Sequence, residues 1–221
     1  MDARPVTVGD LFRPEDEIGQ WVFALTAATQ DLALAESAFR AELDADRTPQ
    51  TGYYFRHMVA RIYEAERPIL ALEQHREARA FAESLPDAQE ALSFLRSVYI
   101  GKPGARSRVR ETFGDARHLS VHHSRVGSEE LREILRLAAG EEARIIVNRA
   151  EQSLYHEWPE AVVGRYLLGD LTEGGRRDEL RAEGRFAQEI LQSFARLFMR
   201  ARDAHFARVG IDPQRLVREV G

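Results

Sequence analysis

The stretch EDEIGQWVFALTAATQDLALAESAFRAELDA, residues 15–45, sets Ile18, Val22, Leu25, Leu32, Ala35, Phe39 and Leu43 at helical spacing, with Trp21 on the same side. Apolar residues repeating at that period with polar residues between them describe one long amphipathic helix. Working outward, residues 1–14 read as an N-terminal extension. Asp46–Thr51, which contains Pro49, reads as the end of the helix. A second helix is expected from about Gly52, with Tyr54, Phe55, Met58, Ile62 and Ile69 on one face. Pro68 should kink or break it, because proline removes a helical donor and its ring meets the preceding turn. Glu73–Ser84 is polar and reads as a solvent-facing continuation.

Further along, Pro86 is expected to open a helix that reaches Tyr99 and buries Leu92, Leu95 and Val98. Gly101-Lys102-Pro103-Gly104 is a loop sequence. Helices are expected over Arg106–His122, with Val109, Phe113 and Ala116 inward, and after Ser128, a good N-cap, with Leu131, Ile134, Leu135 and Ala138. Ile145-Ile146-Val147 suits a short strand or a buried helix, and helix is the expectation. Pro159 reads as the first position of a helix that buries Val162, Val163, Tyr166 and Leu167, and Gly169–Arg177 as a glycine-rich turn. The last helix should span Asp178–Val209, with Leu180, Phe186, Ile190, Phe194, Leu197, Phe198 and Ala201 on its face. Gly210 would be its C-terminal cap and Asp212-Pro213 its stop. Long helices with short connections predict an all-α fold, an antiparallel bundle of six to eight helices. It is expected as one domain over residues 1–221, with 211–221 as a C-terminal tail.

Composition narrows the function classes. The 221 residues contain no cysteine, which removes disulfides, zinc–thiolate sites and a thiol nucleophile. The N-terminal residues have no apolar stretch suited to a signal peptide, and no apolar run approaches the roughly 20 residues that span a bilayer. A cytoplasmic protein with no membrane partner is therefore expected. Gly174-Gly175 has no phosphate-loop pattern, and neither a Gly-x-Gly-x-x-Gly following a strand nor a Gly-x-Ser-x-Gly is present. No cofactor is implied.

Charge singles out one segment. Between Lys102 and Arg125 lie Lys102, Arg106, Arg108, Arg110, Arg117 and Arg125, opposed only by Glu111 and Asp115. That is a net charge of +4 within a chain of −5. Three of the seven histidines, His118, His122 and His123, share the segment. Such an island suits an anion such as a phosphate, although charge runs are also common as solvated helix faces. Arginine followed by histidine recurs at Arg149 and His156 and at Arg200 and His205. There the arginine is followed by Ala150 and Ala201, whereas His118 gives Arg117 a polar successor.

The run Arg117-His118-Leu119-Ser120-Val121-His122-His123 resembles the signature of the HEPN superfamily: arginine, a polar residue, then histidine after three to five more. A looser likeness is to bacterial helical-bundle proteins with an arginine and a His-Tyr pair after their central helices; here His123 or Ser124 stands at the tyrosine. The HEPN resemblance implies a helical bundle that cleaves or binds RNA without metal, in toxin–antitoxin, phage-defence or RNA-processing settings. Its site would be composite across a homodimer, so one motif per chain would suffice. It implies Arg117 and His122 as catalytic residues and His118 as the polar second residue, with His123 the alternative base. The chemistry is coherent. Histidine titrates near neutrality and can activate the 2′-hydroxyl or protonate the leaving oxygen, and a guanidinium can hold the charge that builds on phosphorus-bound oxygens. Lys102, Arg106, Arg108 and Arg110 would hold the backbone of single-stranded RNA through salt-dependent contacts.

Two other readings stay open. His118 and His122, one helical turn apart, could share a metal with a third ligand from Glu64, Glu66 or His57, in which case a chelator would matter. Neither the Glu-x-x-His pairs of di-iron bundles nor a His-Glu-x-x-His motif is present. Alternatively the bundle is a non-catalytic module that binds nucleic acid or a protein such as an antitoxin, with Tyr53, Tyr54 and Tyr63 beside Arg56 and Arg61 at the interface.

Overall fold

A computed structural model of the chain describes residues 6–44, 48–101, 107–113, 145–148, 153–156 and 174–216. The described helices are α1 (Val8–Leu11), α2 (Glu17–Asp44), α3 (Thr48–Glu64), α4 (Glu66–Gln74), α5 (Arg76–Ser84), α6 (Gln89–Tyr99) and α7 (Gly174–Val209), and residues 108–113 are also helical. A 3-10 turn follows at Pro213–Leu216. The fold is an all-α bundle, as the apolar periodicity predicts. Among the described residues, no helix is long and apolar enough to cross a membrane.

The chain divides into two compact units. The first comprises residues 1–31, 64–108 and 189–221, and the second residues 32–63 and 109–188.

In the first unit, α4, α5 and α6 pack on one another, and Trp21 of α2 is buried with them. Its Nε1 donates to the carbonyl of Pro68 at 2.9 Å. Its ring meets that of Phe81 edge-on, centroids 6.2 Å apart and planes at 75°. Tyr99 at the end of α6 meets Phe194 of α7 in the same manner, at 5.8 Å and 77°. Leu25, Ile69, Leu72, Leu95, Ile190 and Leu197 are fully buried, each contributing about 1.5–3 kcal/mol of transfer free energy. Arg96 of α6 ties the outer surface together. It donates to Glu73 of α4 at 2.5 Å and to Glu83 of α5 at 2.8 Å, while Arg79 reaches Glu73 at 2.9 Å.

In the second unit, Phe39 of α2 packs on Phe55 of α3 at 5.7 Å. Val109 and Phe113 are buried as expected, and Phe113 stacks on Phe186 of α7 at 5.7 Å and 13°. Ile145-Ile146-Val147 corrects an expectation. It is a strand, β1 (Ile145–Asn148), paired antiparallel with β2 (Ser153–His156), Ile145 opposite His156 and Asn148 opposite Ser153. Three successive β-branched side chains lose rotamer freedom in a helix and suit a pleated strand.

Other boundaries shift for local reasons. The second helix begins at Thr48, so Pro49 opens it instead of lying in a break; proline is tolerated in a first turn, whose amides have no helical partner. The break comes at Ala65, and Pro68 lies in the first turn of α4. The polar stretch after Glu73 is not one continuation. His75 is extended (φ −110°, ψ 105°), and α5 starts afresh and buries Ala78 and Ala82. Pro86 lies in a turn before α6, because Asp87 has φ +58°, which a right-handed helix cannot contain. Gln89 Nε2 then reaches back to the C-terminal end of α5, donating to the Glu83 carbonyl at 2.7 Å, with those of Ala82 and Leu85 at 3.2 Å. Helix α7 starts at Gly174, taking in the last four residues of the expected glycine-rich turn, Gly174–Arg177. It ends as predicted at Gly210, with φ +72°. The amides of Gly210 and Ile211 return to the carbonyls of Ala207 and Phe206, a Schellman cap. The helices expected after Ser128 and Pro159 lie outside the described residues.

Candidate functional site

Of the residues singled out in the basic island, Arg108 and Arg110 are described; both are exposed. Lys102, Arg106, Arg117, His118, His122 and His123 lie outside the described residues. The guanidinium of Arg110 stands over the ring of Tyr63 on α3, 6.0 Å from its centroid. That is the outer range of a cation–π contact, and it brings Arg110 to the aromatic helix.

Helix α3 carries that aromatic surface because its inward positions are otherwise filled. Met58, Val59, Ala60 and Ile62 are buried, as is Arg56. Tyr53, one turn before His57, is 47% exposed. The two rings are parallel within 8°, centroids 6.4 Å apart. Tyr54 stands edge-on to Tyr53 at 5.2 Å and 83°. Arg61 is half-buried one turn beyond His57. Flat rings next to guanidinium groups offer stacking surfaces and positive charge together.

The first unit holds a buried polar cluster that the sequence reading missed. His205 on α7 is fully buried. Its Nε2 lies 2.8 Å from the carbonyl oxygen of Leu11, and its Nδ1 lies 3.2 Å from Arg208 Nη2. A carbonyl only accepts and a guanidinium only donates, so Nε2 carries the proton and Nδ1 accepts. Phe12 stacks on the ring at 5.5 Å and 6°. Arg208 also pairs with Asp16, whose carboxylate accepts from the Gly19 amide and so caps α2. Burial pushes the Asp16 carboxyl up, but the hydrogen bonds from Arg208 and Gly19 outweigh it and hold it below the usual value. For His205, burial leads in lowering the pKa, aided by Arg208 and opposed by the Leu11 carbonyl and Asp16.

Both ring nitrogens of His205 are engaged, so it anchors the end of α1 to α7 and has no nitrogen left to act as a base. The available signal was its register: Phe194, Leu197, Ala201 and His205 follow one another at three- and four-residue steps along the buried stripe.

Glu64, Glu66 and His57, weighed as partners for a metal at His118 and His122, form no metal cluster: among the described residues no group of three or more potential ligands comes together. Comparison with protein-family models, with curated proteins and with solved structures finds no match to this chain.

Proposed function

We propose that the chain is an RNA-binding helical protein of the HEPN-like kind, with cleavage of single-stranded RNA at Arg117 and His122 as its activity. The observation that carries this reading is the Arg110–Tyr63 contact. It sets one arginine of the basic island beside a helix that also bears the exposed ring of Tyr53. Proteins that bind single strands combine positive charge for the phosphates with aromatic faces for the bases. In this reading His118 is the polar second residue, His123 the alternative base, and a homodimer supplies the composite site. A protein antitoxin is the expected antagonist.

The test is incubation of a mixed single-stranded RNA pool in EDTA with wild type, Arg117→Ala and His122→Ala, alongside binding titrations at several salt concentrations. Cleavage that leaves 2′,3′-cyclic ends and disappears in both variants supports the full reading. Salt-dependent binding without cleavage reduces it to a binding module, and absence of both overturns it.

A further inference from the structure

We propose that Tyr53 and His57 on α3 form a stacking site for an unpaired nucleobase, an inference that rests on the RNA-binding reading. Residues four apart on a helix are surface neighbours, and here the two rings lie parallel within 8°. A surface aromatic normally folds down onto its helix; Tyr53 instead stays 47% exposed while Tyr54 braces it edge-on. Tyr53 thus keeps about half of its surface accessible to a planar partner while its ring is flanked by Tyr54 and His57. Arg61, a further turn along the same stripe, and Arg110, over Tyr63 on the same helix, supply positive charge toward the C-terminal end of α3. The occupant this combination fits is a base with its phosphate: a flat π-system carrying a negative charge. A paired base has its faces covered by its neighbours, so the site takes single strands.

The experiment measures binding of a fluorescein-labelled, mixed-sequence 12-nucleotide RNA, single-stranded or annealed to its complement. It uses the full chain and the variants Tyr53→Ala, Tyr53→Phe and Arg110→Ala, with melting temperatures confirming that each is folded. Stacking on one aromatic side chain is lost with its ring. Tyr53→Ala is therefore expected to weaken single-strand binding about ten-fold or more and to leave duplex binding unchanged. Tyr53→Phe, which keeps the ring, should bind like wild type. If Tyr53→Ala binds the single strand as tightly as wild type while Arg110→Ala weakens it, the stacking site is overturned and the RNA reading stands. Equal losses in Tyr53→Ala and Tyr53→Phe would overturn stacking in favour of a hydroxyl contact. If wild type binds neither RNA, both proposals fall.

Discussion

His205 Nδ1 accepts a hydrogen bond from Arg208 at 3.2 Å, one turn along α7. Because Nε2 is committed to the Leu11 carbonyl at 2.8 Å, the imidazole fits its place only when neutral. A proton on Nδ1 would set two donors against each other and put a second positive charge beside Arg208.

Stability should therefore fall with acid in a definite window. The folded pKa of His205 lies below its ordinary value of 6.5, so the unfolded chain takes up the proton first. The contribution is fully present above about pH 6.5 and is lost as pH falls through the folded value. Asp16, held below 3.8, titrates outside that range. Urea midpoints between pH 7.5 and 5 should fall more steeply in wild type than in His205→Gln. The variant should also cost about 1–3 kcal/mol at pH 7.5 through its disturbed buried hydrogen bonds.

Gly19→Ala should destabilise, although alanine is the better helix former by about 1 kcal/mol. A Cβ there would lie 2.8 Å from Asp16 Oδ2 and 3.4 Å from His205 Cε1. The carboxylate is held by Arg208 and cannot swing aside freely. The check is a double-mutant cycle: in an Asp16→Ala background the same substitution should become neutral or stabilising.

Arg96→Met should cost about 1 kcal/mol or less, since its partners Glu73 and Glu83 are partly solvated. Thermal melts of wild type and variant should converge as salt is raised to about 0.5 M, where surface ion pairs are screened.

Two leucines on α2 provide a packing test. Leu32 is 1% exposed and Leu34 62%. Leu32→Ala should cost about 2–5 kcal/mol, whereas Leu34→Ala should stay within about 0.5 kcal/mol. Chemical denaturation of both variants measures the contrast.

The helices were legible because burial imposes the period: Val22, Leu25, Leu32 and Ala35 were read inward and are buried. The cap at Gly210 was legible because glycine adopts the left-handed conformation at little cost. Helix starts were less so. Pro49 and Pro86 announce a boundary, yet proline suits both a first helical turn and the turn before one. The strand at Ile145 was ambiguous because a short apolar run fits either element. The Asp16–His205–Arg208 cluster joins residues nearly two hundred positions apart, and no local pattern marks such a pairing. On the candidate surface, the aromatic and basic residues of α3 were visible in the sequence, but the meeting of Arg110 with Tyr63 depends on the fold.

The hydrogen bond from Trp21 to the Pro68 carbonyl gives the protein an optical gauge of its own. The chain has two tryptophans, Trp21 and Trp158. In a Trp158→Phe background all indole emission comes from a buried ring on α2 that is tethered to α4. Parting those helices would wet the ring and shift its emission to the red, so loosening of the first unit can be followed without a label.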